Sequence, residues 1–180
     1  MRTITFILTF LLFTTLLFGQ KEEKIKTIRK TVEKINTDTS YIVKKLDNDY
    51  FVNQKNEATD GGQELTGYYK NGQVKKIIYV VGLSYGMTTY EYYYTDNQLL
   101  FVFQKQDTYA QVKDSLGQFT GYNYTKLEPA FEGRYYFDKA KLFETKKTGK
   151  ELFADETDNK ENKFIADSKS FLEELKKVKR

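Results

Sequence analysis

Asn71-Gly72 stands between two runs, residues 64–70 and 73–81, that are rich in Tyr, Val and Ile. A two-residue reversal of this kind needs positive φ at both central positions, which Asn and Gly tolerate, so the two runs are expected to fold back on each other as a hairpin. The layout recurs twice. Residues 87–94 and 98–105 flank Thr95-Asp96-Asn97, and residues 131–137 and 141–145 flank Asp138-Lys139-Ala140. In each case an aromatic cluster (Tyr68-Tyr69, Tyr92-Tyr93-Tyr94, Tyr135-Tyr136-Phe137) precedes the polar turn, and an apolar strand follows it. The offsets between Tyr68, Tyr92 and Tyr135 are 24 and 43 residues, too uneven for a solenoid. A meander of hairpins spanning residues 39–145 is expected, with residues 106–130 as a long insertion carrying Gly117 and Gly121 and only fragmentary strand signal.

Helical periodicity brackets this region. Ile25, Ile28, Val32 and Ile35 form one apolar stripe on a charged segment, residues 21–36. Phe164, Ile165, Phe171, Leu172, Leu175 and Val178 do the same within residues 158–179, where Asp158 or Asn159 can cap the start and Lys176 to Arg180 put positive charge at the end. Residues 149–154 are read as a short helical turn before that helix. A lone amphipathic helix cannot bury its stripe, so both are expected to pack on the sheet, giving an α+β fold: an antiparallel β-meander covered by an N-terminal and a C-terminal helix.

The first 20 residues have a different character. Met1-Arg2-Thr3 gives a basic start, Ile4 to Phe18 is apolar and uncharged, and Gly19-Gln20 precedes an abruptly charged segment. These are the parts of a secretory signal, with an apolar run shorter than the roughly 20 residues a membrane-spanning helix needs. Cleavage is expected after Gly19 or Gln20, leaving residues 21–180 as one domain in the periplasm or outside the cell, without stable membrane insertion. No cysteine follows the run, so a lipoprotein is not expected.

Absences narrow the chemistry further. The chain has no His and no Cys, which removes Ser-His-Asp and Cys-His machinery, thiolate and imidazole metal sites, and disulfides. No glycine-rich run matches a phosphate or dinucleotide loop, so no cofactor is expected. Net charge is +4 with both signs interspersed, which is not a nucleic-acid footprint. An enzyme would have to use carboxylates, Tyr, Lys or a lone Ser; Glu64, Glu91, Asp107 and Glu132 lie on or beside aromatic strands, but their spacing singles out no acid and base. Residues 155–161 resemble a calcium loop only superficially, since Lys160 occupies the tight-turn Gly position and Ala166 that of the bidentate Glu, so no metal is expected.

Tyrosine is the informative excess: 15 of them, with no Trp. Strand alternation places Tyr90, Tyr92 and Tyr94 on one face and Glu91 with Tyr93 on the other. A helix-free face would expose an aromatic platform suited to stacking on sugars or gripping peptide. The structural alternative is cross-strand pairing that stabilises the sheet. The ligand-contacting residues expected on this reading are Tyr90, Tyr92, Tyr94, Glu91, Tyr68 and Tyr135. The function it suggests is a non-catalytic binding module of the cell envelope, its partner an envelope protein, peptide or glycan. A carboxylate-dependent glycan-active enzyme and a periplasmic carrier of an apolar ligand are the alternatives. Asp114-Ser115-Leu116 resembles a bacterial O-glycosylation acceptor, which marks Ser115.

The stretch Leu65-Thr66-Gly67-Tyr68-Tyr69-Lys70-Asn71-Gly72-Gln73-Val74-Lys75-Lys76-Ile77 resembles a bacterial MORN-type repeat, with Glu91 to Leu99 and Arg134 to Phe137 as degenerate copies. The whole layout is similar to small exported proteins of Gram-negative, Bacteroidetes-type bacteria. The resemblance implies a binding or scaffolding element without a catalytic set, and it assigns no site residue.

Overall fold

A computed structural model describes residues 2–152 and 159–178, with side chains from residue 19 onward. Two compact units divide the chain, residues 1–39 and residues 40–180. The first is a single helix, α1 (Arg2–Thr37), continuous through both the apolar run and the amphipathic segment. Thr27, Thr31 and Thr37 turn their hydroxyls back onto helix carbonyls and so do not interrupt it. Among the described residues no helix is long and apolar enough to cross a membrane.

The second unit is the expected meander. Seven antiparallel strands follow one another in chain order: β1 (Ile42–Leu46), β2 (Gln63–Lys70), β3 (Gln73–Leu83), β4 (Gly86–Thr95), β5 (Gln98–Lys113), β6 (Phe119–Asp138) and β7 (Lys141–Gly149). Helix α3 (Lys160–Lys176) ends the unit, so the fold is α+β as the periodicities indicate. Asn159 caps it by accepting from the Asn162 amide at 3.1 Å, while Asp158 lies outside the described residues. At its end the carbonyl of Leu175 and, just beyond the helix, that of Val178 accept from the Lys44 ammonium at 3.1 and 2.9 Å.

Two segments depart from expectation. Asp47-Asn48-Asp49, a polar run that by sequence predicts a turn before Tyr50-Phe51-Val52, is not a plain turn. Asp47 caps a short helical turn, α2 (Asn48–Tyr50), by accepting from the Tyr50 amide, and a π-helical turn (Phe51–Lys55) continues it. Phe51 thereby reaches the core. Residues 106–130 are also not an irregular insertion. They extend β5 and β6 as one long antiparallel ribbon, with register shifts at Gln106/Asp107, Tyr109/Ala110 and Val112/Lys113. Each shift breaks strict alternation, which is why the strand signal looked fragmentary. Residues 150–152 form no helix, and the rest of the expected turn, residues 153–154, lies outside the described residues.

The three hairpins share one geometry. Each turn has two central residues at positive φ: Asn71 and Gly72, Asp96 and Asn97, Lys139 and Ala140. Each also carries a register shift inside its aromatic cluster, at Tyr68/Tyr69, Tyr93/Tyr94 and Tyr136/Phe137. Thr95 and Asp138, expected in the turns, are the last residues of β4 and β6. The third turn holds residue types that disfavour its backbone, since a left-handed conformation costs a residue with a Cβ about 1–2 kcal/mol. Replacing Lys139-Ala140 with Asn-Gly is therefore expected to stabilise the chain by about 1 kcal/mol. An unchanged or lower urea midpoint would contradict that geometry.

Candidate functional site

Alternation along β4 sends Tyr90, Tyr92 and Tyr94 toward α3, and that helix decides their fate. Phe164 meets the rings of Tyr90, Tyr92 and Tyr135 at 6.3, 6.1 and 4.7 Å between centroids, while Phe171 meets Tyr79 and Tyr92 at 4.7 and 5.5 Å. Tyr92, Tyr94 and Tyr135 are fully buried, at 0, 1 and 0 % exposure. Their hydroxyls are satisfied inside: Tyr92 donates to Asp167 at 3.2 Å, Tyr94 pairs with Ser168 at 2.9 Å, and Tyr135 donates to Gln104 at 3.1 Å. Burial holds the Tyr92 and Tyr94 hydroxyls well above the ordinary phenol range and pushes Tyr79 up to about 12. The expectation that Tyr92, Tyr94 and Tyr135 present a free aromatic face is thus corrected; they form the core beneath α3.

The opposite face holds Glu91, which is ion-paired to Lys76 at 2.8 Å and accepts from the Tyr93 hydroxyl. Lys76 also stands 4.9 Å over the Tyr93 ring. Tyr93, Phe101 and Tyr136 are buried, with the Phe101 ring in contact with both tyrosines. Tyr68 is half-buried and meets Tyr41 edge-on. The other carboxylates are likewise paired, Glu64 with Lys45, Asp107 with Lys105 and Glu132 with Arg134. Of the six expected contact residues, Tyr90, Glu91 and Tyr68 are partly exposed, and Tyr90 lines a cleft.

That cleft is a groove of about 460 Å³ beside the start of α3, with Tyr90, Thr88, Gln104, Gln106 and Glu151 among its walls. Its floor is a buried polar lattice. Glu151 accepts from Lys160 at 2.8 Å and from Gln104 at 3.1 Å, and Gln106 exchanges hydrogen bonds with the backbone N–H and C=O of Leu152 at 2.7 and 3.3 Å. Burial pushes the Glu151 carboxyl up, but the bonds from Lys160 and Gln104 overcome this and hold it below its ordinary value. A second cleft of about 640 Å³ shares the wall residues Tyr85 and Leu152 with the first and is lined along the β5–β6 ribbon by Tyr109, Gln111, Lys113, Tyr122 and Lys126 among others.

Beyond its pairing with β4 and β7 the ribbon becomes a two-stranded arm, residues 109–113 and 119–127. It carries a contiguous set of rings: Phe119 to Tyr122 at 5.1 Å, Tyr122 to Tyr124 at 6.4 Å, Tyr124 to Tyr109 at 5.0 Å. Phe119 is 53 % and Tyr124 65 % exposed. The register places Asn123 opposite Ala110 and Leu127 opposite Tyr109, so residues 124–126 bulge out of the ladder. The Asn123 carboxamide accepts from the amide and hydroxyl of Thr125 at 3.0 and 2.8 Å and shapes that bulge, which presents Tyr124. At the tip Asp114 accepts from the amides of Leu116 and Gln118, both at 2.9 Å, leaving Ser115 and Leu116 exposed.

Sequence reasoning did not single out Tyr109, Phe119, Tyr122 or Tyr124. The period-two pair Tyr122 and Tyr124 was a usable signal, but Gly117, Gly121 and the bulge hid the strand that carries it. Glu151 and Lys160 come together only through the chain's return to α3. Among the described residues no group of three or more acidic side chains is placed to hold a metal, and the expected non-calcium segment, residues 155–161, lies largely outside them. Compared with known proteins, the chain matches no family's sequence model, no curated protein and no solved structure at a significant level.

Proposed function

We propose that this chain is an exported, non-catalytic binding module of the cell envelope whose contact surface is the groove from the first turn of α3 to the aromatic arm. The observation that carries this reading is the arm itself. Four touching rings sit on a hydrogen-bonded ribbon with Phe119 and Tyr124 more than half exposed. Exposed aromatic clusters cost solubility and contribute little to the stability of an outlying ribbon, so their natural use is contact with a partner. The basic start and apolar run of the first 20 residues support export.

A carrier reading has less support, because Tyr92, Tyr94, Phe164 and Phe171 fill the space between sheet and α3. A carboxylate enzyme has less as well, since Glu64, Glu91, Asp107 and Glu132 are each held by a neighbouring cation.

The test is retention of material from an envelope extract on the immobilised full chain. Tyr122→Ala/Tyr124→Ala is expected to lower the retained amount about tenfold, equivalent to about 1.4 kcal/mol, with the far-UV circular dichroism unchanged. Equal retention by the folded double variant removes the arm from the contact surface.

A further inference from the structure

We infer that a third cleft, along the second half of α3, takes a small apolar monocarboxylate, with the Lys169 ammonium as its charge partner and the Tyr69 hydroxyl as a donor. The site shares no residue with the arm or with the two clefts beside it, so it stands apart from the binding-module reading.

Helix and hairpins build its walls. Lys169, Leu172, Glu173 and Lys176 recur at helical spacing and so stand on one face of α3. Gly72 and Asn97, the second left-handed residues of the first two hairpin turns, complete the rim. A Cβ added at Gly72 would meet nothing within 4 Å, so the mouth is open there. The register shift at Tyr68/Tyr69 pairs Tyr69 with Val74, and these two with Leu172 make the lining apolar. All three belong to the core or pack against it, so the lining is preformed. The cleft holds about 360 Å³, near the lower end of the range for ligand sites, which suits a small molecule and not a polymer.

The charges fix the sign of the ligand. Glu173 is paired with Lys176 at 2.6 Å, whereas Lys169 has no ion pair among the described residues. Glu173 could serve Lys169 instead only in the less favourable helical order, with the cation on the N-terminal side. With either pairing the three side chains leave one positive charge, which one carboxylate balances. An ammonium-bearing ligand would meet Lys169 as a like charge.

The polar groups suit the same ligand. Neither the Tyr69 hydroxyl nor the Asn97 carboxamide makes a hydrogen bond among the described residues. Burial raises the Tyr69 phenol above its ordinary value, so it stays protonated and donates. A carboxylate accepts from phenol, carboxamide and ammonium alike, while an alkyl or aryl body covers Val74 and Leu172.

Amide chemical shifts of the isotope-labelled full chain, followed as octanoate or benzoate is added, test this. The expected result is a saturable shift at Gly72, Val74, Asn97 and Leu172 with at least one of the two. The dissociation constant should be on the order of 1 mM, because a ligand of about ten heavy atoms has few contacts to spend. Octanol and octylamine should bind more weakly. Lys169→Glu, a change on the exposed helix surface, should weaken the carboxylate about tenfold, and Tyr69→Phe, which keeps the ring, severalfold. Lys113→Gln, which removes an exposed ammonium from the arm, should leave the affinity unaltered. Three results overturn the assignment. One is no saturable shift at those four amides with either carboxylate. A second is octanol binding as tightly as octanoate, which means that the cleft reads an apolar body and not a charge. The third is a carboxylate affinity that Lys169→Glu does not change. None of the three bears on the arm, which Tyr122→Ala/Tyr124→Ala tests separately.

Discussion

Phe164→Ala is expected to lower the stability of the chain by about 3–5 kcal/mol, the largest effect of any single truncation considered. Phe164 is fully buried and is the one α3 residue whose ring touches Tyr90, Tyr92 and Tyr135 together. These come from β4 and β6, so the ring joins α3 to two strands that are not neighbours in the sheet. Truncation leaves a cavity walled by stiff rings hydrogen-bonded at their tips to Asp167 and Gln104, which cannot collapse to fill it. At roughly 3 °C per kcal/mol the melting temperature should fall by about 10–15 °C. Phe164→Leu, which keeps most of the volume, should cost under about 1.5 kcal/mol. Thermal melts of both variants check this. A loss below about 1 kcal/mol for alanine would mean that α3 is not what covers the face holding Tyr92.

The same ring shows where sequence reading succeeded and where it failed. Phe164 and Leu175 were legible as core because a 3.6-residue period leaves few choices of buried face. The meander was legible because Asn71-Gly72 and its two analogues are local signals, each satisfied by its own few residues. What a period of two cannot state is which face of a strand lies under the helix. Tyr92 and Tyr93 are equally aromatic, and both are buried, on opposite faces. Alternation therefore points to the regular strands as the contact surface, where Tyr92, Tyr94 and Tyr135 serve packing. The exposed rings stood instead in residues 106–130, where bulges had erased the alternation. A bulge re-aims a side chain by breaking the pattern that would advertise it, so Tyr124 is both the most exposed tyrosine of that row and the hardest to place from sequence. The lattice of Glu151, Gln104 and Lys160 was illegible for a different reason. It joins β5, the segment after β7 and the start of α3, and only the tertiary fold brings these together.

Glu174 should make the chain acid-sensitive in a defined window. It sits on the last turn of α3 and is nearly buried. It receives hydrogen bonds from Lys177 at 2.6 Å, from Lys55 at 3.1 Å and from the Tyr50 hydroxyl, and so fastens the α2 and π-helical turns to the helix. Burial by itself would raise its carboxyl; the bonds from Lys177, Tyr50 and Lys55 outweigh that and bring it down from 4.5 to about 2. A folded value below the unfolded one means that the unfolded chain binds more protons between those limits. The stabilisation is therefore complete above about pH 4.5 and is lost as the pH falls toward about 2. We expect Glu174→Gln to cost about 1–2 kcal/mol at neutral pH, less than the bare shift implies because Lys177 is solvent-exposed and water screens the pair. Urea unfolding of the wild-type chain should lose a similar amount between pH 4.5 and 2, and the variant should lose correspondingly less over that window. The difference should shrink in 1 M salt. If wild type and Glu174→Gln lose stability in parallel as the pH falls, the carboxylate is not what holds the α2 segment to the helix.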